Sequence, residues 1–296
     1  MGPAYGAGVR SRRQAVAMIA VCCTAGAVFA EQRVMTTVGH RLIAGDALAA
    51  NYSGALAVVL SAIGLVGVAN LLRIPVATSH VVVGAVTGLG LYYGTVNLPL
   101  VTTVVVWWIV TPLVSLTASY AAGRLLHARL VQAFGGFRSE AGAGRALVWA
   151  ITISGCWMAF AAGSNSLAKA MGPAVGAGVL GPGNAAVLGG LSMALGALLL
   201  GGRVISTVGK EITSICPVCA IVVQIISASI VFTASRFGMP VSLAEIVTCS
   251  VIGFSCAANG VKGTAGNRHV RRIMLLWPAA PVTAGLLAFG LQAAFR

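Results

Sequence analysis

Nine apolar stretches, at 14–30, 51–72, 79–94, 101–123, 146–171, 184–200, 218–235, 241–258 and 273–293, hold only two formally charged residues, Lys169 and Glu245. A bilayer core is crossed by about 20 apolar residues of helix. Inside hydrocarbon every backbone N–H and C=O must find its partner within the protein, which a helix provides. The stretches therefore predict an all-α, polytopic transmembrane bundle of about 8–10 spans. Composition agrees: 8% of residues are charged, against about a quarter in a soluble domain. The 38 glycines suit helices that approach one another closely.

The net charge of +14 does not point to nucleic acid, because the basic residues lie between apolar runs and form no stripe with interleaved aromatics. They read instead as cytoplasmic loops beside anionic lipid. Loop 124–145 carries Arg124, Arg129, Arg138 and Arg145 against Glu140, so it is expected inside, and the uncharged turn at 92–97 outside. Counting spans from these places Arg10, Arg12, Arg13, Arg203, Lys210 and the 262–272 cluster inside as well, with Arg33, Arg41 and Arg236 as exceptions. Arg12-Arg13 before an apolar run imitates a secretory signal. More spans follow, however, and the run has a counterpart deep in the chain. A multi-pass plasma-membrane protein is expected.

That counterpart belongs to an internal repeat. Gly2-Pro3-Ala4-Tyr5-Gly6-Ala7-Gly8-Val9 recurs as 172–179 with one difference, an offset of 170 (172 − 2). Arg33-Val34 and Thr37-Val38-Gly39 recur as Arg203-Val204 and Thr207-Val208-Gly209 at the same offset (203 − 33). Pro75-Val76 recurs as Pro240-Val241 at 165 (240 − 75), with Gly88 matching Gly253. The expected organisation is a first repeat at 1–123, a basic cytoplasmic loop at 124–145, a second repeat at 146–260, and a basic loop with a final helix at 261–296. Span counting gives the two copies opposite orientation, the arrangement of secondary transporters, whose substrates sit near the midplane beside interrupted helices. The repeat also predicts a counterpart of helix 146–171, about 20 residues long, upstream of Met1. An in-frame stop codon just before the codon for Met1 would argue against it.

Of five acidic residues, Glu31, Asp46, Glu140 and Glu211 fall in loops or polar connections, whereas Glu245 lies inside an apolar helix. Lys169 is placed similarly. A charge at the centre of a membrane helix costs about 2.5–3.5 kcal/mol on insertion scales, which marks both as functional candidates. Two polar clusters interrupt the apolar pattern. In Gly163–Pro173, Ser164, Asn165 and Ser166 offer neutral donors, and Gly163, Gly172 and Pro173 are expected to break the helix. In Pro75–His80, Pro75 suits the first turn of a restarted helix, leaving Thr78 and Ser79 beside backbone N–H groups at a positive dipole end, a ready anion site. Pro240 marks a third break. The cysteines form no disulfide framework: Cys22, Cys23, Cys156, Cys249 and Cys256 lie in apolar runs, and the Cys216/Cys219 pair lacks a second ligand pair for zinc. No metal or organic cofactor is expected. No catalytic residue is expected either, since the serines and histidines lack a triad spacing and no His-Glu-x-x-His motif occurs.

These elements resemble the inorganic phosphate transporter (PiT) family, which also includes sulfate permeases. The family's Gly-Ala/Ser-Asn-Asp-x-x-Asn-Ala motif, continuing to Gly-Pro, is similar to Gly163–Pro173. Its Pro-Val-Ser-Thr-Thr-His element is similar to Pro75–His80 and more faintly to Pro240–Glu245, and its Arg-Val-x-x-Thr-Val-Gly element to 33–39 and 203–209. The resemblance implies uptake of inorganic phosphate, or of sulfate, coupled to sodium or protons. Ser164, Asn165, Ser166, Thr78 and Ser79 would bind the anion, and Lys169, Glu245 and His80 would supply charge or coupling. Three departures stand out: Ser166 replaces the motif's aspartate, Lys169 its second asparagine, and Glu245 the second element's histidine. They imply that Lys169 supplies fixed positive charge where relatives bind a cation, and that Glu245 carries a proton. The rival expectation is a degenerate, non-transporting membrane protein. Partners are the oxyanion, the bilayer and a further copy of the chain.

Overall fold

The computed structural model describes residues 11–30, 32–44, 48–49, 51–71, 76–125, 129, 140–199, 217–260 and 277–295. Each of the nine apolar stretches contains a helix. In chain order, α1 is Arg12–Ala30 and α2 is Gln32–Thr36, which continues as a π-helical turn at Thr37–Arg41. Next come α3 (Tyr52–Leu71), α4 (Thr78–Tyr93) and α5 (Leu98–Leu125). Then α6 (Glu140–Ala162) runs through a second π-helical turn, Gly163–Leu167, into α7 (Ala168–Gly176). The rest are α8 (Pro182–Leu199), α9 (Pro217–Arg236), α10 (Leu243–Asn259) and α11 (Ala279–Ala294). Among the described residues no strand forms; Ile43 and Val96 make one isolated β-bridge.

Among the described residues five helical segments are long and apolar enough to cross a membrane, and α1 with α2 makes a sixth if the 64° bend between them is counted within one span. Three expected spans fall short. α4 and α11 have 16 residues and α10 has 17, reaching about 24–26 Å where a bilayer core needs about 30 Å. α4 stops where Gly94 adopts φ 69°, a left-handed cap that few other residues accept. The break expected at Gly163, Gly172 and Pro173 is absent. The chain stays helical from Gly144 to Gly176, the π-turn absorbing an extra residue, and Pro173 sits inside α7. Pro240 does lie in a break, between α9 and α10, whereas Pro75 lies outside the described residues. The loop expected at 124–145 ends earlier than expected, since Glu140–Arg145 is already helical. Cys219 is disulfide-bonded, where the cysteines were expected to form no disulfide framework; Cys216 lies outside the described residues.

Glycines set how closely the helices approach. A Cβ on Gly163 would stand 2.0 Å from the Cys23 carbonyl oxygen, and one on Gly26 2.0 Å from that of Phe160. Gly163 thus admits α1 rather than a ligand. α4 packs chiefly on α11 and α10 on α5, while α1 lies along α8. A Cβ on Gly88 would meet Gly285 O at 2.1 Å and one on Gly253 would meet Leu116 O at 2.1 Å. Both obstacles are backbone, which cannot rotate away. Gly88→Ala and Gly253→Ala are each expected to destabilise by about 1–3 kcal/mol, measured as thermal unfolding in detergent. Wild-type melting for either would show that its helix pair separates freely.

Candidate functional site

The segment Met239–Ser242 is non-helical and buried, so its carbonyls need partners from elsewhere in the fold. Three consecutive carbonyls find them in side chains from three elements. Asn165 Nδ2 donates to Met239 O at 3.1 Å, Trp108 Nε1 to Pro240 O at 2.8 Å, and Lys169 Nζ to Val241 O at 2.8 Å. Trp108 lies in the middle third of the 28-residue α5, away from either end of that helix. The sequence reading missed Trp108, because one tryptophan in an apolar run carries no signal.

Lys169 also donates to Ser79 Oγ at 2.7 Å, and Ser79 Oγ in turn donates to Val241 O. The two polar clusters read from sequence therefore meet, with Lys169 from the π-turn helix lying across the start of α4. Lys169 is 2% exposed and Glu245 1%, and Glu245 lies close enough to act electrostatically on the ammonium. Glu245 occupies the first turn of α10, where its backbone N–H donates to Ser242 Oγ at 3.3 Å. The Ser242-Leu-Ala-Glu245 spacing is the Ser-x-x-Glu signature of a helix start, a legible signal the sequence reading passed over.

His80 Nε2 faces Glu245 Oε1 at 3.3 Å, although neither atom has a well-aligned hydrogen bond. His80 Nδ1 lies 3.2 Å from Trp277 O, and its ring packs against that of Trp108, tilted by 34° with centroids 3.9 Å apart. The imidazole is thus fixed on three sides.

The predicted anion ligands divide into two groups. Ser164 Oγ donates to Ala161 O at 2.9 Å and lies 3.3 Å from Ser235 Oγ. Asn165 Nδ2 reaches the same Ser235 hydroxyl at 2.9 Å, leaving Asn165 Oδ1 buried without a partner. Both residues face α9. Thr78 and Ser166 face the other way, lining with Lys169 and Ser192 a cavity of about 570 Å³ whose remaining walls are largely apolar. Thr78 is the first residue of α4, which begins on Ala77, whose methyl cannot cap the first N–H groups. Those donors and the partial positive charge of the helix end lie beside Thr78 and Lys169. Gly172 is spent on packing: a Cβ there would meet the Val38 side chain at 2.8 Å. No group of three or more His, Cys, Asp or Glu suited to a metal ion occurs among the described residues.

The sequence profile of the phosphate transporter (PHO4) family matches residues 1–288. Sulfate permease CysP of Bacillus subtilis is 33% identical over 300 residues, covering 100% of this chain and 81% of that protein. A Pyrococcus furiosus protein named as a phosphate permease is 26% identical over 371 residues, covering 97% of this chain and 89% of its own length. A solved structure titled as the sodium-dependent phosphate transporter superposes over 100% of this chain and 92% of its own with a TM-score of 0.82, at 21% identity, so the two share a fold. With a whole-chain profile match, a multi-pass helical architecture and a buried polar centre between short helices, the chain belongs to the phosphate transporter family, whose members are permeases and not enzymes.

Proposed function

We propose that this chain carries inorganic phosphate across the plasma membrane by alternating access, with a proton as the coupling ion. The observation that carries the reading is the uncapped start of α4 beside the cavity that Thr78 and Lys169 line. Such a helix end, inside a water-poor site, offers an oxyanion both donors and field. Ser166 and Ser192 add hydroxyls on the same cavity wall.

Charge balance supports the proton. Lys169 and Glu245 together are neutral when both are ionised, so an arriving anion gains little net attraction. A proton taken up by Glu245 leaves one uncompensated positive charge beside the cavity, which favours the anion and ties the two together. The groups facing Glu245 in this account are His80, Lys169 and Cys249.

The reciprocal packing supports a two-copy construction. α3 and α9 start 165 residues apart (217 − 52), as do α4 and α10 (243 − 78). The short helices pack in matching fashion, α4 of the first copy on the final helix α11 and α10 of the second copy on α5 of the first. Rocking one copy against the other would expose the site alternately.

Sulfate is the second reading, favoured by the full-length match to a sulfate permease. Hydrogen phosphate keeps a proton it can donate to the hydroxyl oxygens of Thr78, Ser166 or Ser192 in the cavity wall, which sulfate lacks. Purified protein in proteoliposomes decides between them with radiolabelled phosphate and sulfate. Saturable phosphate uptake driven by an inward proton gradient is expected. Sulfate uptake alone moves the assignment to the second reading, and folded protein that moves neither anion rejects transport. In the same assay Glu245→Gln is expected to lose the pH dependence of uptake; an unaltered profile removes Glu245 from coupling.

A further inference from the structure

A second cavity, of about 340 Å³, lies between α4, α5 and α11 and shares Trp108 with the polar centre described above. Backbone contacts fix its shape. A Cβ on Gly84 would meet Pro281 O at 2.2 Å and one on Gly88 would meet Gly285 O at 2.1 Å, so α4 and α11 already touch and cannot close further. α5 supplies Val101, Val105 and Trp108, and the indole is pinned by its bond to Pro240 O at 2.8 Å. Leu91, Leu286 and Phe289 line the cavity and are also exposed, so it opens on an apolar outer face of the bundle. Small-molecule sites are of this kind, about 300–1,000 Å³ with apolar walls and a few placed polar groups.

One polar atom is placed here. Thr87 Oγ1 is buried and has no hydrogen-bond partner, although Thr87 lines the cavity. A helical threonine commonly satisfies its hydroxyl on the carbonyl four residues back. Thr102, Thr103, Thr111 and Thr117 of the adjoining α5 all do so, at 2.7–2.9 Å. A buried hydroxyl left unpaired is costly, and a ligand in the cavity would pair it. No residue lining the cavity is charged, and the Trp108 N–H is already used. An ionised head group would exchange its water for one hydroxyl, which disfavours an ion. A pure hydrocarbon would leave Thr87 as it is. The chemistry that fits is an apolar body carrying one neutral oxygen.

We propose that the cavity between α4, α5 and α11 binds a neutral, lipid-soluble amphiphile, whose hydroxyl or carbonyl oxygen accepts from Thr87 Oγ1 and whose apolar body lies against Trp108. Trp108 also holds Pro240 O and packs on His80, so the ligand touches a residue of the buried polar centre directly. Neither the site nor its test depends on the transport reading.

The experiment is photolabelling of the purified full chain in nanodiscs of phosphatidylcholine and phosphatidylglycerol. A diazirine-bearing octanol is the probe, and mass spectrometry locates the adduct. Saturable labelling around Thr87 is expected, displaced by 1-octanol and only weakly by octane at the same mole fraction in the bilayer. Thr87→Val keeps the shape and removes the donor. Its affinity for the probe is expected to fall about two- to tenfold, with no loss of melting temperature, since the deleted hydroxyl had no partner. Val105→Trp, which fills the cavity from an exposed position, is expected to abolish saturable labelling; Thr87→Val carries the test should that variant not fold. Label spread evenly over the outer helices, equal displacement by octane, or unchanged affinity in Thr87→Val overturns the proposal. So does a marked drop in the melting temperature of Thr87→Val, which would mean that the hydroxyl is used within the protein. A second copy of the chain covering this face would shut the probe out, and wild type without saturable label overturns the proposal equally.

Discussion

Lys169→Met is expected to reduce uptake to background and to lower stability by about 3–5 kcal/mol, the cost of stranding a buried charge. Adding Glu245→Gln is expected to restore most of that stability and none of the uptake. Both side chains are at most 2% exposed, so neither can fall back on water. Without the ammonium, Glu245 loses its one lysine neighbour and keeps the His80 edge at 3.3 Å, and Val241 O keeps the Ser79 hydroxyl. Glu245→Gln alone strands the opposite charge, leaving an ammonium held by neutral oxygens at 2.7 and 2.8 Å. With both charges gone, the helix start at Ser242 survives, because its hydroxyl accepts from a backbone N–H that either side chain leaves in place. The check is a double-mutant cycle by unfolding in detergent, with uptake measured on the same four proteins. Losses that simply add would mean the two charges do not sense each other, and the charge balance proposed for coupling would fail with them.

Most of the fold was legible because hydrocarbon permits so few backbone arrangements. The expected span 51–72 became Tyr52–Leu71, and 218–235 became Pro217–Arg236. The failures have a common physical source. Hydropathy marks where a helix enters lipid, not where it ends in water, so Glu140–Arg145 was assigned to a loop although it extends α6. Gly163, Ser164, Ser166 and Pro173 carry the propensities of a break, but glycine there admits α1 to within van der Waals contact and the chain widens into a π-turn instead. Tertiary contact overrode local preference. In the site, the meeting of Lys169 with Ser79 joins two polar clusters that are each marked in the sequence, whereas the pairing of His80 with Glu245 is not. That pairing needs the start of α10 to lie across from α4, a consequence of packing that no local motif encodes. Trp108 and the three carbonyls it shares with Asn165 and Lys169 were invisible for the same reason.

Gly176→Val is expected to abolish both assembly and uptake, because α7 is held by an interlock of three glycines. A Cβ on Gly176 would lie 2.1 Å from Gly39 O, and a Cβ on Gly39 would lie 2.5 Å from Gly172 O. The backbones of α7 and of the Thr37–Arg41 π-turn are thus in direct contact, and the turn cannot retreat. Thr37 and Val38 are at most 1% exposed, and a Cβ on Gly238 would already stand 3.1 Å from Thr37 Oγ1. The overpacking cost is therefore expected at or above the upper end of the usual range, about 3 kcal/mol. Its functional cost follows from position. Lys169 lies seven residues before Gly176 (176 − 169), on the same helix, about two turns away and so on the same face. A displacement of α7 by about 1 Å carries the ammonium beyond hydrogen-bond range of its oxygens. Gly181→Ala serves as the control, since a Cβ there meets nothing within 4 Å. Size-exclusion profiles and uptake are read for both variants. If Gly176→Val elutes and transports like Gly181→Ala, the interlock does not position the lysine, and the site geometry must be held by the Met239–Ser242 crossing alone.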